Sequence, residues 1–205
     1  MIYLTQHRID IDLYSYEELA NALYRKCLQD GIDKGTDKTK WREAVVAEKL
    51  GHKVHSKISA GKGTAEYGSD AFDPVSRSFN EYKAKMLSDN ELRKLLELPK
   101  GTKGKVYSPL RVSGVYNGYN SNYEVASVEY PKKGHYYAVF CEEICVLIIK
   151  VNTDYVMESL NKNYNKFVSG GKTGSTNLNS VIVNLADTHL YTVAYKNEEF
   201  YDSQR

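Results

Sequence analysis

Apolar positions near the start of the chain recur at helical spacing. Leu19, Ala22, Leu23 and Cys27 follow Ser15 and Glu18, which are spaced as a capping box, and the pattern runs to Gly31. It predicts a helix over about 16 to 29. Beyond the polar stretch DGIDKGTDKTK, the segment KWREAVVAEKLGHK predicts a second helix ending at Gly51, with Glu43, Val46, Ala47 and Leu50 on one face. The pattern then changes to that of strands. KVHSKIS, residues 53 to 59, reads as a short strand, and DAFD and FNEYKAK as two more joined by PVSRS, where Pro74 suits a turn. Ser88 and Glu91 form another capping box, opening a short helix through Leu92, Leu95 and Leu96 that Pro99 stops.

The segment 99 to 124 is rich in Gly, Asn, Tyr and Lys and has no sustained period, so it reads as a long functional loop or a set of small hairpins. HYYAVFC and CVLIIKVN are the most apolar stretches and are expected in the middle of a sheet. A helix over about 154 to 163, the loop SGGKTGSTNLN and the strand-like SVIVNLADTHLYTVAYK complete the chain. The class this order predicts is α/β, with a mixed sheet flanked by helices.

With 205 residues the chain is expected to form one domain. Its 41% hydrophobic and 26% charged residues fit a folded chain. A formal charge of +2 neither requires nor excludes nucleic acid. No apolar run reaches the roughly 20 residues of a membrane span, and acids interrupt MIYLTQHRIDIDLYSYEELA where a signal peptide would be apolar. A cytoplasmic protein without a membrane partner is the expectation. Cys27, Cys141 and Cys145 lack the second ligand pair of a zinc site, so reduced, mostly buried thiols are expected. Tyrosine, at 18 residues against 5 Phe, suits surfaces that meet a wet partner.

Candidate chemistry concentrates in GSDAFDPVSRSFNEYKAK, residues 68 to 85. Glu81 and Lys83 are two apart and share one face of a strand, a face that Asp70 reaches from the hairpin partner. Carboxylates with one cation suit a magnesium ion that polarises a phosphate, because magnesium takes few protein ligands and keeps its waters. These residues, within the order EAVVAEKLGH, strand, YGSDAFD, FNEYKAK, helix, resemble the PD-(D/E)XK nucleases and, among them, the type II restriction endonucleases. The resemblance covers about residues 39 to 98, with compatible strands over 135 to 151. It implies a restriction-endonuclease-like core, with Asp70 and Glu81 as magnesium ligands and Lys83 orienting or helping to deprotonate the attacking water. It also implies that Glu43 is an extra acid, with Glu48 as its competitor. Gly-x-Asp favours Asp70 over Asp73, which precedes Pro74 and reads as a turn residue.

SGGKTGS is not a phosphate loop, because Lys166 stands where GxxxxGK[ST] needs glycine. Residues 161 to 179, with Lys172, read instead as a loop contacting phosphate. His52 and His55 straddle a helix end and a strand, so His52 reads as a helix-terminal cation rather than a zinc ligand. Base recognition is expected in loop 100 to 124, with Arg111 suited to guanine, Asn117, Asn120 and Asn122 to adenine, and Tyr119 to sugar or base. The expectation is a magnesium-dependent endonuclease that cuts double-stranded DNA at a short sequence as a homodimer. The alternatives are a Holliday-junction or repair nuclease and a non-catalytic DNA-binding protein.

Overall fold

The apolar stretches pair into a six-stranded mixed sheet in the computed structural model, which describes residues 15–19, 22, 38–54, 69–96, 109–116, 118–171 and 179–204. The second predicted helix is α1, Lys38–Leu50. It ends where Gly51 takes a φ of +67°, a conformation glycine adopts at little cost. Of the first predicted helix, residues 16–19 are helical and most of the remainder lies outside the described residues. Strands β1 (Lys53–Val54), β2 (Ala71–Asp73) and β3 (Ser78–Met86) form an antiparallel meander. The predicted strand over 53 to 59 is described only at Lys53 and Val54.

After β3 comes α2, Asp89–Leu95, where the Glu91 carboxylate accepts from the Ser88 N–H at 3.0 Å, as the capping box requires. The chain then crosses over to β5 (Gly134–Cys141), which runs parallel to β3, and turns directly into antiparallel β6 (Ile144–Val151). β8, Tyr191–Lys196, closes the order β1-β2-β3-β5-β6-β8. The two most apolar stretches are thus inner strands, as their composition requires. β5 is buried along nearly its whole length.

Three segments differ from the sequence expectation. Part of the presumed loop 99 to 124 is strand β4, Arg111–Val115, which pairs with β7, Ser180–Asn184, in a separate two-stranded ribbon. Tyr123–Glu129 is a helix, α3, and the helix expected over about 154 to 163 is α4, Thr153–Ser169. Its second half is supported by aromatic packing, with Tyr164 stacked on Tyr123 at 3.7 Å between ring centroids. A last short helix, α5 (Glu198–Ser203), begins where the Asn197 side chain accepts from the Phe200 N–H at 3.0 Å.

Each face of the main sheet has its own core. Val45, Val46 and Ala47 of α1 cover the face bearing Tyr82, Tyr136, Ala138 and Ile148. Tyr137, Val139 and Ile149 on the other face pack with Val112 of β4, Val156 and Leu160 of α4, and Val181 and Val183 of β7. Alternation along β3 therefore sends Tyr82 towards α1, and Glu81 and Lys83 towards the ribbon.

Candidate active site

The β2–β3 register pairs Ala71 with Asn80, and the Asp70 N–H donates to the Asn80 carbonyl at 2.9 Å. Asp70 thus lies one residue before β2 and is held by its backbone against β3 at Asn80. Asp70 is 3% exposed and its Oδ2 accepts from the Tyr82 N–H at 2.7 Å. This bond fixes its carboxylate to the strand that carries Glu81. Lys83 Nζ lies 2.6 Å from Glu81 Oε1 and 4.7 Å from the centre of the Tyr116 ring. Glu81 and Lys83 share one face of β3, as their spacing requires, and Asp70 is tied to the same strand at Tyr82.

Two side chains that the sequence reading passed over complete the neighbourhood. Lys133, 4% exposed, brings Nζ to 3.7 Å from Glu81 Oε2 and 4.9 Å from the centre of the Tyr130 ring. Burial pulls its ammonium below the ordinary lysine range, against the opposing pull of Glu81 and Asp70. Glu81 meets the same contest with the opposite result. Burial pushes its carboxyl up, but Lys83 and Lys133 outweigh that and hold it below the usual value, so it is an anion. His135 is the register partner of Glu81 on β5 and is fully buried. The signal for both was KKGH at the mouth of HYYAVFC, where polar residues enter a buried strand.

The tautomer of His135 follows from its partners. Nε2 lies 3.0 Å from the Tyr130 carbonyl oxygen, which only accepts, so Nε2 carries the proton. Nδ1 therefore accepts from Tyr116 Oη at 3.1 Å, and Tyr116 Oη in turn accepts from Tyr137 at 3.2 Å. Burial depresses the imidazole to about 4, with Glu81 pulling the other way, so the ring is neutral near pH 7.

The other sequence candidates are dispersed. Glu43 is half-buried on α1, the helix that covers the face opposite Glu81 and Lys83, and Glu48 is exposed on the same helix. Asp73 caps the turn, accepting from Val75 N at 2.8 Å and Ser76 Oγ at 2.5 Å. His52, at the end of α1, is largely buried, with Nε2 3.8 Å from Asp73 Oδ2. Burial lowers its pKa despite Asp73, and Nδ1 lies 2.7 Å from Tyr82 Oη.

Tyr119, expected on a loop open to DNA, is fully buried, with its hydroxyl donating to Asn161 at 2.9 Å. Its ring serves the core because β4 and α3 fold this segment onto α4. Asn120 Oδ1 accepts from buried Asn179 at 3.0 Å, and Asn122 is the N-cap residue of α3. Arg111 is exposed at the start of β4. Asn117 and Lys172 lie outside the described residues, and residues 161–169 are helical rather than loop.

Among the described residues no group of three or more His, Cys, Asp or Glu side chains is placed to hold a metal ion. Asp70 and Glu81 are both buried, and Glu81 Oε2 has no hydrogen-bond partner. Such an oxygen suits magnesium, which takes one or two protein carboxylates and completes its shell with water and phosphate. No protein-family model and no curated protein matches the chain.

Proposed function

We propose that the chain is a magnesium-dependent nuclease of the PD-(D/E)XK type, and specifically a type II restriction endonuclease cutting double-stranded DNA at a short sequence. One observation carries this reading. The buried Asp70 carboxylate is bonded to the Tyr82 N–H of the strand that carries Glu81, Lys83 touches Glu81, and that strand runs parallel to buried β5. The order of helix, antiparallel meander, helix and parallel strand also supports a restriction-endonuclease-like core.

Asp70 and Glu81 would hold the magnesium ion, which when bound would polarise the scissile phosphate and acidify the attacking water. The chain supplies the remaining functions. The Tyr82 N–H keeps Asp70 aimed at the site, and the two lysines keep Glu81 ionised. Lys83, with its side chain 16% exposed, is the cation that would orient the attacking water and stabilise the hydroxide left when the water's proton passes to solvent. A homodimer would place one such site on each strand of a palindrome.

The test is incubation with a sequenced plasmid and magnesium, alongside Asp70→Ala, Glu81→Ala and Lys83→Ala. Discrete bands that each substitution weakens by roughly a hundredfold or more support the reading. Cleavage of branched DNA alone would favour a Holliday-junction or repair nuclease, which gains weight because the presumed base-reading loop contributes Tyr119 to the core. Binding to DNA without cutting under any divalent metal would leave a non-catalytic DNA-binding protein.

A further inference from the structure

Lys133 has the position of a competitor for the metal. Its side chain is 2% exposed and its ammonium lies 3.7 Å from Glu81 Oε2, the buried oxygen that accepts no hydrogen bond. The other oxygen of Glu81 is already taken by Lys83 at 2.6 Å. Asp70, Glu81 and Lys133 are buried and Lys83 is partly so, and their two negative and two positive charges balance. Nearby Glu129 has its own cation, Lys132, at 2.9 Å.

A divalent ion added to this group leaves a surplus of two positive charges in a low-dielectric setting, which is strongly unfavourable. A phosphate arriving beside it removes part of that surplus. Resting on the nuclease reading above, we propose that Lys133 couples the two ligands: its ammonium keeps the site from filling with metal until a DNA phosphate arrives to share the positive charge. Lys133 is on this account a positioning residue, acting through Glu81 and the metal. The role needs a cation at the inner oxygen of Glu81, and Lys133 supplies it from the residue preceding β5, whose Gly134 pairs with Asn80. An alanine-sized side chain at Gly134 would collide with Asn80 Oδ1, so the entry to β5 is held tightly against β3.

The experiment is calorimetric titration with calcium, an oxygen-seeking divalent ion, of the full chain, Lys133→Met, Lys133→Gln and Glu81→Gln, without DNA. Both neutral variants are expected to bind calcium roughly tenfold or more tighter than the unsubstituted chain, and Glu81→Gln to lose binding. A merely structural lysine predicts the opposite, because loosening the site weakens binding. The unsubstituted chain, which carries no folding risk, is titrated again with sheared genomic DNA present, and its calcium affinity is expected to rise about tenfold. Equal affinities with and without Lys133, or no rise with DNA, overturn the proposal while leaving the nuclease reading standing, provided Glu81→Gln still abolishes binding. Absence of calcium binding from every form, with and without DNA, removes both.

Discussion

His135 sits at the back of the site as a neutral imidazole between the Tyr130 carbonyl and the Tyr116 hydroxyl. In the unfolded chain it takes up a proton near 6.5, while burial in the fold delays that to about 4. Between those values the unfolded state binds more protons, so stability falls as pH falls from about 6.5 to about 4. The full difference is worth about 3 kcal/mol. Urea melts at pH 7, 5 and 4 are expected to show this extra loss in the unsubstituted chain but not in His135→Gln. A constant difference between the two across that range would contradict the assignment. That Glu81 and Lys83 share a face was legible in the sequence because a strand's period of two puts them there. His135 and Lys133 were not, because only the parallel pairing of β3 with β5 brings them to Glu81. A pairing across a crossover leaves no local period to read.

β4 and β7 make a ribbon over the face that holds Lys83. Its close approach depends on Gly114, where a Cβ would lie 2.6 Å from Lys83 Cγ and 2.8 Å from Tyr137 Oη. Gly114→Ala therefore forces the ribbon outward or displaces the Lys83 stem. The expected costs are about 1 to 3 kcal/mol of stability and a large loss of cleavage. Ser113→Ala, exposed on the other side of the same strand, should leave both nearly unchanged, and both variants can be compared by thermal melting and plasmid cutting. β7 reads as strand-like in the sequence, but β4 reads as loop or small hairpins because Ser113 pairs with Ile182, a partner far along the chain, and the strand is only Arg111–Val115 long. The capped helix after β3 and the two apolar inner strands were legible, since caps and continuous apolar runs are local signals.

The assembled molecule is a two-faced α/β body, and among the described residues no helix is long and apolar enough to cross a membrane. If two copies act together on a palindrome, a dimer with one disabled site should cut only one strand. Co-refolding equal amounts of the unsubstituted chain and Glu81→Ala is expected to convert supercoiled plasmid mainly to nicked circles, whereas the unsubstituted chain alone gives linear product. Linear product in undiminished proportion would argue for a monomer that cuts twice. The ribbon has a further consequence in time. A ribosome delivers Asp70, Glu81 and Lys83 early, but β4 cannot be paired until Ser180–Asn184 has emerged. The surface that presses on Lys83 is thus among the last parts of the domain to be put in place, so a nascent chain carries Asp70 and Glu81 before it carries the ribbon that covers their neighbour.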